Sequence, residues 1–376
     1  MPKKPPAKIP GDVIDENDDA LTQRLADLAL ELAEQEETDP AALTAKTAEL
    51  NKMIRKSLLQ KQDEVLYDAI ERARDADLDA CRLLRDAVED AAQTVALPRG
   101  DAQAFAIPLF VRSTGGLQAD DDFQDQPAFE ALTASFQSAA LESPDARVVL
   151  INHAYHLDEI DSITYSHLNE MVREAATSMT DKKIIATPAI ERSMSGWPER
   201  DFTPEDVAVE LRFLLGFTLA RRDDPFYAVP EEEAAADAWY TQRARRFEAW
   251  TAQVEPLVQR SLAAAGRELE VNFLYQDVFF GAKELGMAEL FTLQMMAQLN
   301  QGLQDANVDP AQANAVITVA DQGAQVLRVE LHGAPSTRLL VAAEKPLDSL
   351  GDLQLQIDDM ADALATLGIK NVSVAP

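Results

Sequence analysis

Residues Ala146 to Asp161 read Ala-Arg-Val-Val-Leu-Ile-Asn-His-Ala-Tyr-His-Leu-Asp-Glu-Ile-Asp, a continuous apolar run that passes directly into a polar cluster. An apolar run of this length is a buried strand, and the cluster stands where that strand delivers its side chains to a sheet edge. Three of the four histidines of the chain, His153, His156 and His167, fall within or just after it. No other stretch gathers groups that titrate near neutral pH so closely.

Working outward from this strand, the pattern alternates. The sequence predicts a strand over residues 105–111, a helix over 127–141, the strand at 147–152, a helix over 160–179 and a further strand at 183–186. Strands alternating with helices of this length imply crossover units on a largely parallel sheet. The clearest strand comes next, because Val207, Val209, Leu211, Phe213, Leu215, Phe217 and Leu219 alternate with smaller or polar residues over about 13 positions, with Gly216 as the natural place for a bend.

Before residue 100 the period is helical. Leu66, Ile70, Ala73, Cys81, Leu84, Val88, Ala91 and Val95 hold one stripe interrupted only at Asp77, and Cys81 belongs to that stripe as a buried apolar residue. After the Pro-containing stretch 221–230, the residues predict two long helices and a strand between them. Three strands divided by Asp321-Gln322-Gly323 and Gly333-Ala334-Pro335-Ser336 then form an antiparallel meander, followed by a helix ended by Gly368 and a last strand at 369–374. The fold class expected is therefore α/β: an N-terminal helical segment followed by mixed, partly parallel sheets with helices packed on them. Both halves run strand, helix, strand, an order that allows two similar halves. The expected divisions are a disordered tail at 1–19, a helical segment at 20–98, an α/β domain at 99–222 and a second α/β domain with the meander at 231–376.

The charge excludes several partners. With 65 acidic against 34 basic residues and a formal charge of −31, the chain is unsuited to tracking a phosphate backbone or an anionic membrane surface. It has one cysteine, so no intramolecular disulfide, and neither a signal-peptide core nor an apolar run of 18 residues. A cytoplasmic protein is the expectation.

The order of elements, together with Asp90-Ala-Ala-Gln-Thr-Val, the strand Val207 to Leu219 and Leu274-Tyr-Gln-Asp-Val-Phe-Phe-Gly-Ala-Lys-Glu-Leu-Gly, resembles a family of uncharacterised proteobacterial proteins classed as a domain of unknown function. The likeness covers most of the chain after about residue 65. It implies a cytoplasmic bacterial protein of this length and carries over no activity and no functional residues.

Glycine-rich phosphate loops, a nucleophile elbow, Cys-x-x-Cys and His-Glu-x-x-His are all absent from the sequence. Two loops remain as a candidate site. The strand ending near Val111 leads into Arg112, Gly115 and Gly116 and then Asp120, Asp121, Asp122 and Asp125, while the strand ending at Asn152 leads into His153, His156, Asp158 and Glu159. If both strands run parallel to one sheet edge, His153, His156, Asp158, Asp120 and Asp122 offer a mixed His and carboxylate set for a divalent metal that activates water. The alternative is a solvated aspartate loop and hydrogen-bonded strand-end histidines with no cofactor. Arg112 with Gly115 and Gly116 allows an anion cradle or simply a sharp turn.

A second candidate is a face for a partner. Trp239, Tyr240, Phe247 and Trp250 lie within about 100° on one helix, with Arg243 and Arg246 on or beside that face. Trp197-Pro198 in a loop is a similar case. Core aromatics crossed by arginine stems are the alternative for both. Two functions follow as expectations: first, a non-catalytic interaction or adaptor protein that binds a protein partner or itself and no nucleic acid or membrane; second, a metal-dependent hydrolase using the His153, His156 and Asp120 to Asp125 loops.

Overall fold

The computed structural model describes residues 16–34, 40–114, 123, 125–180, 207–262, 269–321, 325–333, 338–348 and 351–375. Helices α1 (Glu16–Ala33), α2 (Pro40–Leu59), α3 (Asp63–Ala76) and α4 (Leu78–Gln93) lead into β1 (Thr94–Leu97) and β2 (Gly100–Thr114). Then come α5 (Gln126–Ser138), β3 (Arg147–His156), α6 (Leu157–Ser162), α7 (Tyr165–Thr180) and β4 (Val207–Ala220). The alternating stretch of the sequence is β4, and it lies in the middle of a sheet ordered β1-β2-β4-β3. Two later strands, β5 (Leu269–Phe273) and β6 (Asp277–Val278), add to the remaining edge of β2.

Alternation along β4 has a direct consequence for packing. Leu211, Phe213, Leu215 and Phe217 join a core built from α1 to α4 and α7, while Leu214 joins a separate core built from α5 and α8 (Glu233–Leu262). Both faces of the sheet are covered, so the interleaved Arg212 and Thr218 of β4 are buried too and Glu210 is partly so. Bulk is complementary between neighbours: Ala104 and Ala106 pair with Phe217 and Leu215, and Phe105 pairs with Gly216. A Cβ at Gly216 would lie 2.3 Å from the Phe105 Cζ, so the glycine is there to admit this ring. Each fully buried Phe or Leu contributes roughly 1.5–3 kcal/mol. Pro108 sits within β2 where its carbonyl accepts from Leu274 N–H at 2.9 Å, and its missing N–H falls at the gap between β5 and β6.

The second sheet contains β7 (Ala313–Asp321), β8 (Gln325–Gly333), β9 (Arg338–Pro346) and β10 (Asn371–Val374), in the order β10-β7-β8-β9. The meander β7-β8-β9 is antiparallel and β10 is parallel to β7. Helix α10 (Leu353–Thr366) covers it with Ile357, Met360 and Leu364. Gly368, at φ 99°, ends this segment in the left-handed region. Helix α9 (Phe279–Ala306) joins the sheets: Phe279 and Ala282 pack into the helical core of the first, and Met295, Leu299 and Leu303 into the core of the second.

The chain is thus α/β with helices on two sheets, one of them partly parallel, and it departs from the expectation in four places. In the large sheet β2 and β3 do run parallel to each other, but β4 inserts between them, so every pairing among the described residues of that sheet is antiparallel. The stretch 221–230 does not separate the sheets, because α8, β5 and β6 all pack or pair with the first one. Asp77 breaks the long helical stripe: at φ −160° it ends α3 and caps α4 by accepting from Ala80 N–H at 2.8 Å. The first helix begins at Glu16, inside the segment expected as tail. The register irregularity of the β3–β4 pairing lies in β3 between Leu150, which pairs with Gly216, and Ala154. The strand expected at 183–186 lies outside the described residues.

Candidate functional site

At the carboxyl end of β3, the strand continues through His153 to His156 and turns directly into α6. Glu159, at the third position of that helix, accepts from the His156 backbone N–H at 2.7 Å and lies 3.2 Å from His153 Nε2. One carboxylate therefore ties down both the turn and the first histidine. His156 is 1% exposed and lies opposite Arg212 in the β3–β4 register, with Nδ1 3.6 Å from Glu210 Oε2. The same carboxylate oxygen receives Arg212 Nε at 3.3 Å and Nη2 at 3.2 Å, while Nη1 donates to the Ala154 carbonyl at 2.9 Å. His153, Glu159, His156, Glu210 and Arg212 form a linked polar cluster under the strand end. Asp158 points outward in the first turn of α6.

The carboxyl ends of β2 and β3 lie at one edge of the sheet, because the two strands run in the same direction. Phe123, next in sequence to Asp122, donates its N–H to Asn152 Oδ1 at 3.1 Å, and Asp125 caps α5 by accepting from Ala128 N–H at 3.1 Å. Asp120, Asp121 and Asp122 lie outside the described residues. Among the described residues there is no group of three or more His, Cys, Asp or Glu side chains placed to hold a metal ion. Arg112, by contrast, pairs with Glu270 of β5 at 3.3 Å. Glu210 and Arg212 are the functional-type residues that pattern reading passed over. Their signal is charge at alternate positions of a strand whose other residues demand a buried, central place.

The aromatic helix face divides in two. Trp250 is 1% exposed, donates Nε1–H to Ser135 Oγ at 2.8 Å, and with Phe247 belongs to the core beneath α8. Arg246 Nη1 reaches the Ala140 carbonyl at 3.4 Å, securing the chain after α5. Trp197 lies outside the described residues. Toward the start of α8 the helix instead stands over a cleft of about 670 Å³, at the end of the sheet opposite His156. Its wall carries Trp239, Tyr240 and Arg243, the guanidinium lying 4.7 Å from the Trp239 ring centre and 5.0 Å from that of Phe226. Tyr240 is 57% exposed. Tyr275 closes another side, its ring tilted against that of Phe247 with the centres 4.8 Å apart.

Polar groups recede into this cleft. Glu142 Oε2 accepts from the Tyr227 hydroxyl at 2.6 Å, and Oε1 receives a long contact of 3.5 Å from Gln276 Nε2. Burial holds the Glu142 carboxyl above the usual range, opposed by the Tyr227 hydrogen bond and the charge of Arg243, and burial likewise raises the Tyr227 hydroxyl. Arg222 is paired with Asp101 at 2.6 Å on the rim.

Comparison of the chain with protein-family models, with curated proteins and with solved structures finds no match to any of them.

Proposed function

We propose that this is a non-catalytic, cytoplasmic interaction protein whose recognition element is the first half of α8. The observation that carries the reading is the group on the cleft wall formed by exposed Tyr240 and half-buried Trp239 and Arg243. In an otherwise acidic chain, aromatic rings with a stacked guanidinium are the residues that dominate binding surfaces. The cytoplasmic setting rests on the single cysteine, Cys81, which is buried. Among the described residues no helix is long and apolar enough to cross a membrane. The partner is a protein or a second copy of the chain, and light scattering reads the second case directly.

The test compares melting of the chain in clarified lysate of its own cells with melting in buffer. A partner held on this face raises the midpoint in lysate for the unaltered chain and not for Trp239→Ala or Arg243→Ala. Equal midpoints in both media for all three proteins overturn the reading.

A metal-dependent hydrolase is the second reading, favoured by the hydrogen bond from Phe123 N–H to Asn152 Oδ1, next to His153 on the histidine strand. Against it stand the existing engagements of His153 with Glu159 and of buried His156 beside Glu210. Elemental analysis of chain purified without chelator decides: stoichiometric metal lost in His156→Ala favours the hydrolase, and its absence removes that reading.

A further inference from the structure

The cleft under α8 holds more acceptor capacity than it uses. Gln276 Oε1 is buried without a hydrogen-bond donor, and Glu142 Oε1 has only the 3.5 Å contact from Gln276 Nε2. The orientation of this amide follows from Glu142 itself, since the flipped form would set two acceptors face to face. Thr218, 8% exposed on the cleft floor, also carries a hydroxyl without a partner. A buried acceptor left unmatched costs about 1–3 kcal/mol, so a native site that keeps Gln276 Oε1 unmatched beside the under-used Glu142 Oε1 is shaped for something that donates.

The remaining surface says what form that donor takes. Tyr275 and Tyr240 expose ring surface beside these acceptors, and Phe105 lies on the floor. Flat apolar walls with a few recessed polar groups are the usual anatomy of a small-molecule site, and about 670 Å³ lies within the usual range for one. The arginines nearby are already engaged: Arg222 with Asp101, Arg221 with Asp223, and Arg243 with the Trp239 and Phe226 rings. The arginines of the cleft wall thus have partners, while the acceptors Gln276 Oε1 and Glu142 Oε1 are left under-used.

We infer that the cleft binds a planar, nitrogen-rich small molecule, an aminated heteroaromatic ring or an aryl amidine, with its N–H groups on Gln276 Oε1 and Glu142 and its ring beside Tyr275 and Tyr240. This rests on the reading of the α8 face as a recognition element and adds to its protein partner a small-molecule ligand in the cleft beneath it. The ligand donates, the protein accepts, and no bond is made or broken.

The experiment is calorimetric titration of the full chain with adenine, cytosine and benzamidine as donor probes and with benzoate and inorganic phosphate as acceptor probes. The expected result is saturable one-to-one binding by at least one donor probe and none by benzoate or phosphate. Gln276→Met is expected to weaken that binding about tenfold, the loss of one hydrogen bond. Tyr240→Leu, at an exposed site that leaves the fold intact, is expected to weaken it as well. Binding of benzoate as tight as that of benzamidine overturns the inference, as does binding indifferent to both substitutions or failure of all three donor probes. If the donor probes fail while the lysate midpoint still depends on Trp239 and Arg243, the chemical class is wrong and the recognition surface stands. If both fail, both readings fall.

Discussion

Arg212 and Glu210 stand two residues apart on one face of β4, and the guanidinium reaches a single carboxylate oxygen through Nε at 3.3 Å and Nη2 at 3.2 Å. Arg212 is 1% exposed, so its charge is matched inside the protein and not by solvent. Removing one member of such a pair leaves an uncompensated buried charge, whereas replacing both removes the problem. Glu210→Leu is therefore expected to destabilise the fold by about 3–5 kcal/mol, and Glu210→Leu with Arg212→Met to recover much of that loss. Urea denaturation of the two singles and the double measures it; simply additive losses would show that the pair is not coupled.

Phe105 and Gly216 give the corresponding test in apolar terms. With 2.3 Å available between a new Cβ and the ring, Gly216→Ala must displace the phenyl or the strand, at about 1–3 kcal/mol. In the Phe105→Leu background the same substitution is expected to cost less, because the shorter side chain leaves the space open. The double-mutant cycle reads the coupling, and equal costs in both backgrounds would contradict the contact.

The two halves of the aromatic face of α8 are expected to respond differently to loss of the indole. Trp250→Phe removes the donor to Ser135 Oγ inside the core and is expected to cost about 1–3 kcal/mol. Trp239→Phe, on the cleft wall, is expected to stay within about 0.5 kcal/mol. Thermal unfolding of both variants distinguishes a structural half from a recognition half, and equal losses would argue that both halves are structural.

Glu89 on α4 has its carboxyl pushed up to about 7, chiefly by burial, with the opposing charge of Arg85 and the like charge of Glu284 acting in addition. A carboxyl whose folded value lies above its unfolded value binds more protons when folded, so its contribution to stability is greatest at low pH. That contribution declines from about pH 4.5 to about 7 and is flat above. Glu89→Gln removes the decline. Relative to the unaltered chain the variant should gain stability as pH rises through that window, which denaturation at pH 4.5, 6 and 8 checks; a difference independent of pH would contradict it.

Much of this architecture is written in periodicity. The alternation from Val207 to Leu219 marks the central strand, and the turn residues Asp321 to Gly323 and Gly333 to Ser336 mark the meander, because each rests on local chemistry. What periodicity lacks is the order of strands. The crossover from β2 to β3 predicts their shared direction correctly, but β4 inserts between them from about 50 residues further on, a choice made by packing bulk such as Phe105 over Gly216. The site was legible to a similar degree. His153 and His156 stand out by composition, but their partners Glu159 and Glu210 and the buried Arg212 emerge only once the sheet is known to be covered on both faces. Trp250 and Trp239 share one stripe of one helix. Only the position of α5, which lies under one and not the other, makes the first a core residue and the second a wall of the cleft.

The most direct measurement places a photo-crosslinking amino acid at Tyr240, on the cleft wall, and at Leu355, an exposed residue of α10 far from it in sequence, in the chain expressed in its own cells. Mass spectrometry of the purified protein then reads any covalent adduct, whether a small molecule or a polypeptide. An adduct of defined mass at Tyr240, absent at Leu355 and lost in Arg243→Ala, is the result predicted for a recognition surface on α8. The same products at both positions, or none at Tyr240, would contradict it.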